Sequence, residues 1–486
     1  MRLRNRRFAL IGMLVVAAIA GGFAVAEMTV TGGLTPYQVL QCDASGVASV
    51  SCEGACSGQG AASVRGRVMK AGQPVFDWKH AGEASAGAWK GTLTGIPAGG
   101  PYTIEWMVGE EKCGVSDVLV GDLWVLAGQS NMQGVGNMID VQDPDPLVHM
   151  LAMNHEWRIA REPLHILAES PDPVHFKPKS DEERQVAIEN HKKGTKGAGL
   201  GLPFAVEMTR RTGRPVGLVC TAHGGTSMDQ WSPSLKDQGG ESLYGSMLKQ
   251  VEVAGGKVRG VLWYQAESDA NPEKSAEFKQ KFIDFVAAIR EDFGDPNLPF
   301  YYVQIGRFVT PSPTALSWNR IQQLQLECEA LIPNSGVVAS IDLALDDLIH
   351  AGTPGLKTLG ARLASLAERD LYGGKTLRGP RPVEVTRRET PYGKQMLVKF
   401  REVNGRLVAP GRPAGFFVTA GPEGAPVPTI LNQEISSESP DTVILWYWQD
   451  LPEDAQLWYG WGFDPYCNIS DEAGMAVPVF GPMPIP

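Results

Sequence analysis

Between residues 122 and 372 the chain alternates short apolar runs with amphipathic segments, and this alternation leaves few folds open to it. The runs at 123–127, 216–221, 260–264, 299–305 and 337–341 read as buried strands, being apolar and bounded by turn residues. Between them, 203–211, 242–253, 275–292, 319–331 and 356–370 read as amphipathic helices. Strand and helix in turn predict an α/β domain with a parallel, doubly wound sheet.

The flanks have a different rhythm. From 27 to 121, runs such as 62–68, 88–93 and 102–107 are β-rich and broken by Gly, Pro and Ser, which predicts a small β-sandwich-like domain. From 373 to 486, the runs 396–400, 415–419 and 442–447 predict a second β-rich domain. At 486 residues, two or three domains are the natural expectation. Within the α/β region, 138–201 is too long for a plain connection, is rich in His, Pro and charge, and is expected to be an insertion facing the substrate.

Residues 1–26 have the layout of a secretory signal: a basic head with four arginines, an apolar middle and a small-residue exit at Ala24-Val-Ala26. Cleavage, with export to periplasm or medium, is the expectation; retention as an anchor is the alternative. Arg6-Arg7-Phe8 is an incomplete twin-arginine pattern. Removing the leader takes away four arginines and no acids, moving the formal charge from −10 to −14. Such a chain lacks the electrostatic footprint of a nucleic-acid binder, and it is unsuited to anionic lipid. In an exported protein, Cys42, Cys52, Cys56 and Cys113 predict one or two disulfides of unspecified pairing, while Cys220 and Cys328 read as buried thiols. No histidine cluster accompanies Cys52 and Cys56, so no metal and no cofactor is expected.

Four segments at predicted strand ends carry groups suited to acyl transfer. The strand 123–127 stops at Gly128, and Ser130 follows in a turn, the place where open α/β sheets present reactive groups. In Thr221-Ala-His-Gly-Gly-Thr226 the paired glycines allow a backbone N–H to approach an oxyanion, and His223 is a pocket-lining candidate. In Leu262-Trp-Tyr-Gln-Ala-Glu-Ser-Asp269, Gln265 offers an amide to the same oxyanion, and Glu267 either holds the loop or faces water. In Asp346-Asp-Leu-Ile-His350 a carboxylate stands three or four residues before an imidazole, which it can orient. His149, His155, His165, His175 and His191 read as loop residues of the insertion.

Gly128-Gln-Ser-Asn-Met132, Gly224-Gly-Thr226 with Trp231, Trp263-Tyr-Gln-Ala-Glu267 and Asp347-x-x-His350 together resemble the four signature blocks of the sialate O-acetylesterase family, within the SGNH/GDSL hydrolases. The likeness extends to Asp117–Trp124 and Tyr459–Pro465, so it covers nearly the whole mature chain. It implies a flavodoxin-like SGNH domain at 122–372, with Ser130 as nucleophile, His350 as base and Asp347 as its orienting acid. The oxyanion hole would be the N–H groups of Ser130 and Gly225 (or Gly224) with Gln265. Gln129, Met132, Trp231 and Glu267 are the expected substrate contacts, and Trp263 reads as core. Ala266 departs from the family's usual glycine, and Asp269 from its usual asparagine. The implied activity is removal of O-acetyl groups from sugars through an acetyl-enzyme. An acetylxylan or other polysaccharide esterase is one alternative; a peptidase or lipase and a non-catalytic carbohydrate-binding protein are others.

Overall fold

The computed structural model describes residues 28–312, 315–421 and 424–486; the expected leader lies outside them. The central sheet contains seven strands, numbered here along the chain: β1 (Glu111–Gly128), β2 (Val148–Leu151), β3 (Trp157–Ile159), β4 (Val216–Cys220), β5 (Gly260–Tyr264), β6 (Phe300–Val303) and β7 (Ser335–Val338). Their order is β3-β2-β4-β1-β5-β6-β7, with every pairing parallel except β2 with β3. With β2 and β3 set aside, this is the doubly wound order 2-1-3-4-5, whose ligand crevice lies where the winding reverses beside the first strand.

Cys220 is level with Leu126, and Tyr264 with Gly128, so β4, β1 and β5 deliver their following loops to one edge. The helices are α1 (Ser130–Gln133), α2 (Asp181–Lys192), α3 (Gly201–Thr212), α4 (Leu243–Val253), α5 (Pro272–Asp292), α6 (Leu316–Leu331) and α7 (Thr353–Tyr372). Ser242 caps α4 by accepting from Gly245 N (3.0 Å), and Asn271 caps α5 ahead of Pro272. No helix among the described residues is long and apolar enough to cross a membrane.

The insertion and the N-terminal β-rich region take the following form. The stretch 138–201 is not only an insertion: β2 extends the sheet beside β4 and carries His149, while His165 and His175 lie in loops as expected but are buried. The N-terminal region is one continuous sheet, antiparallel except where Val39–Gln41 pairs parallel with β1. It runs through Thr29–Gly32, Val47–Ala55, Ala88–Pro97, Gln73–Ser85, Ala62–Lys70 and Gly99–Val108 into β1. This sheet curls over its own core, and a Cβ on Gly91 would stand 2.7 Å from the Trp106 ring. Strand β1 therefore runs unbroken through residue 121, where a domain boundary was expected.

The C-terminal region has two four-stranded sheets sharing one core, in which Met396, Val398 and Leu445 meet Val418, Leu457 and Tyr459. It is tied to α6 by Asn319, whose Nδ2 donates to Gly460 O (3.0 Å) and whose Oδ1 accepts from Gly462 N (2.9 Å). The expected disulfides are not formed, and all seven cysteines are free thiols. Cys42 instead lies 3.2 Å from Arg214 Nη1 and 3.7 Å from Asp122 Oδ1, and burial pushes its thiol up to about 11.

Candidate active site

Strand β1 ends at Gly128 with φ +131°, where a Cβ would lie 2.3 Å from Tyr264 O, so only glycine fits. Gln129 N donates to Tyr264 O (2.8 Å), and the chain then turns into α1, a single helical turn. Met132 N and Gln133 N both donate to Gln129 O, while the N–H groups of Ser130 and Asn131 point out of the helix start without intrahelical partners. Ser130 thus stands at a strand end, half-buried, with two free backbone donors beside it.

His350 arrives from the segment after β7. Asp347 Oδ1 accepts from the backbone N–H of Ile349 (3.0 Å) and His350 (2.9 Å), which folds the segment into a tight turn. The same carboxylate meets His350 Nδ1 at 2.9 and 3.0 Å. Burial works against ionisation of Asp347, but these backbone donors and the imidazole hold its carboxyl far below the usual range. Lys196 Nζ adds a positive charge 3.5 Å from Asp347 Oδ2. Asp346 is excluded as the orienting acid because its Oδ2 accepts from Asn137 N at 2.6 Å.

Asn131 brings the two halves together. Its Oδ1 accepts from Ala351 N (3.0 Å), and its Nδ2 donates to Ile349 O (3.4 Å) and Glu267 Oε1 (2.9 Å). The neighbour of Ser130 therefore grips the residues on either side of His350. The His350 ring bonds only Asp347 among the described residues, so no hydrogen bond joins it to the Ser130 hydroxyl. Resting catalytic pairs are often looser than in the complex with substrate.

The paired glycines take separate jobs. Gly224 N donates to Gln133 Oε1 (2.8 Å), and a Cβ there would lie 3.3 Å from Ser130 Cβ. Gly225, at φ +71°, borders open space, and its N–H has no hydrogen bond among the described residues. Gly225, not Gly224, is the donor available to an oxyanion.

Four expected roles are corrected by burial, and Glu267 takes the loop-holding role offered for it. Gln265 is fully buried; its Nε2 donates to Thr226 O (2.9 Å) and Asp269 Oδ2 (2.6 Å), so it is a strut between two loops and not an oxyanion donor. Trp231 is fully buried, edge-on to Trp263 at 5.3 Å, with Nε1 bonded to Thr226 Oγ1, so it offers no stacking surface to a sugar. Met132 packs in the central core. Gln129 is 4% exposed, and its Oε1 receives the N–H groups of Ala266 and Ser268 at 3.5 and 3.4 Å. Glu267 holds Asn131 by Oε1 while its Oε2 is buried without a partner; burial pushes its carboxyl up.

Sequence reasoning missed Asn131, Gln133 and Asp269 as builders of the site. Asn131 was within reach, since it stands inside the Gly128–Met132 block. No group of three or more His, Cys, Asp or Glu among the described residues is arranged to hold a metal.

The family model described as "Carbohydrate esterase, sialic acid-specific acetylesterase" matches residues 120–369, half of the chain and all of the elements above from the end of β1 into α7. The chain belongs to this family. It is therefore a carboxylic ester hydrolase of the carbohydrate esterase class. A probable carbohydrate esterase of Arabidopsis thaliana is 30% identical over 218 residues, covering 40% of this chain and 74% of the relative. The human sialate O-acetylesterase is 24% identical over 353 residues, covering 62% of this chain and 64% of the human one, just under two thirds of its length. A crystal structure of a carbohydrate acetylesterase from Xanthomonas citri superposes with a TM-score of 0.65 at 22% identity, covering 93% of this chain and 99% of that one. That likeness extends the shared fold to both β-rich flanks.

Proposed function

We propose that this esterase removes O-acetyl groups from sugar hydroxyls through an acetyl-enzyme formed on Ser130. The observation that carries the reading is the Asn131 clamp, which fastens the nucleophile's neighbour to both sides of His350. In the first step Ser130 Oγ attacks the acetyl carbonyl, His350 Nε2 takes its proton, and the sugar leaves as an alcohol after receiving that proton. Water, activated by the same nitrogen, then releases acetate. Asp347, bonded to Nδ1, fixes the tautomer that leaves Nε2 free to accept and steadies the imidazolium. The N–H groups of Ser130 and Gly225 face the developing oxyanion; each such donor is worth about 3 kcal/mol in the transition state.

The carbohydrate class of the substrate follows from membership of the family. Acetate release from a panel of acetylated glycans, including 9-O-acetyl sialic acid and acetylated xylan, tests the reading. Ser130→Ala is expected to lose at least about 1000-fold in kcat while remaining folded. A variant with full activity contradicts the nucleophile assignment.

A further inference from the structure

The loop bearing Gly224 and Gly225 rests on a buried chain of side chains that the acyl-transfer groups do not use. His223 Nδ1 lies 3.1 Å from His175 Nδ1, the two rings stacked with centroids 5.2 Å apart. His175, 7% exposed, places its Nε2 3.1 Å from Ser246 Oγ. Ser246 Oγ donates to Asp172 Oδ2 at 2.7 Å, and Lys249 Nζ donates to Asp172 Oδ1. His155 also faces Asp172. The chain joins α4 and the 138–201 stretch to the catalytic edge.

The direction of its protons follows from the acidic end. Burial opposes ionisation of Asp172, but the Lys249 ammonium and the Ser246 hydroxyl hold its carboxyl below the ordinary value, so it only accepts. Ser246 has one proton and spends it on Asp172, so its oxygen must receive a proton from His175 Nε2. Burial keeps His175 neutral, pushing it down to about 3, so its Nδ1 carries a lone pair. The bond to His223 therefore needs a proton on His223 Nδ1. His223 is lowered by burial as well, and in the neutral ring its Nε2 is then a bare acceptor. His223 lines a cavity of about 260 Å³ together with Val174, Thr226, Gln230, Gln238 and Glu241.

We propose that His223 Nε2 accepts a hydrogen bond from a free hydroxyl of the sugar, and that His175, Ser246 and Asp172 fix it in the accepting tautomer. His223 is then a specificity-determining contact, and the other three are positioning residues. A fixed acceptor admits a hydroxyl and disfavours a carboxylate or an ether oxygen at the same place, where two lone pairs would meet. The proposal rests on the Ser130 reading only for the place of the acetyl group.

The test compares His223→Phe with wild type on three esters: 4-nitrophenyl acetate, the acetylated glycoside that wild type cleaves fastest, and that glycoside with its free hydroxyls O-methylated. The expected loss in kcat/KM on the hydroxylated glycoside exceeds that on either other ester by about tenfold or more. In wild type, 15N NMR at neutral pH is expected to show His223 Nε2 unprotonated, and Ser246→Ala to mix the tautomers. Equal losses on all three esters, or a proton on His223 Nε2 in wild type, overturn the proposal. If wild type cleaves none of them, the acyl-transfer reading falls alone. The NMR tautomer still decides this one: Nε2 unprotonated supports it and a proton there overturns it.

Discussion

Ala266 sits at φ +140°, a region that only glycine enters freely, directly after β5 and before the turn that carries Glu267. A methyl group held there costs about 1–3 kcal/mol. Its neighbours impose the angle: Gln265 is locked by Thr226 and Asp269, and Asn131 holds Glu267. Ala266→Gly is therefore expected to raise the unfolding free energy by about 1 kcal/mol, the relief being offset in part by the freer unfolded chain. Urea unfolding measures this, and a loss of stability contradicts the strain. The odd residue was visible in the sequence as an alanine where the family's glycine is usual; the reason for the glycine was not. Likewise the pairing of Asp347 with His350 was legible from their spacing, and the placing of Ser130 from the glycine that ends its strand. Gln265 was misread because an amide's type does not say which loop it faces.

Among elements, the loops after β4 and β5 act as one piece because Gln265 joins them. Its amide pins Thr226 O, one residue beyond Gly225, the proposed oxyanion donor, and Asp269 anchors the other side by accepting Met228 N at 3.0 Å. Gln265→Ala removes the strut and leaves the buried Asp269 with fewer donors, a loss of about 1–3 kcal/mol of stability. Because Gly225 is then free to drift, kcat on 4-nitrophenyl acetate is expected to fall about tenfold or more, with KM little changed. An unchanged kcat contradicts the strut. The five apolar strands were legible because burial on both faces makes continuous apolar runs, and the five expected helices matched to within a few residues, whereas α2 lay unread inside 138–201. Strand β2 was not: Val148–Leu151 is short and contains His149, which is accommodated only because its Nδ1 meets Tyr37 O at 2.6 Å. No local pattern announces such a partner, which is 112 residues away.

Over the whole molecule, β1 is both the last strand of the N-terminal sheet and the central strand of the catalytic one. The C-terminal sheets are stitched to the catalytic domain by Gln304, which exchanges hydrogen bonds with Val479 at 2.8 and 2.9 Å, and by Arg381 paired with Glu329. A change of composition marks both flanks in the sequence, yet it cannot reveal that one strand crosses the first boundary. Calorimetry is expected to give a single unfolding transition in which all three regions melt together; a separate N-terminal transition contradicts this coupling. The loops after β1 and β7 are in turn joined by Asn131, which bonds Ala351 N and Ile349 O, and on this joint the proposed roles of Ser130, His350 and Asp347 depend. The most direct measurement is rapid mixing with 4-nitrophenyl acetate followed by mapping of the acetylated residue. A burst of nitrophenol with acetyl on Ser130, absent in Ser130→Ala, is the predicted result. A burst that survives in Ser130→Ala, or acetyl carried on another residue, contradicts the account.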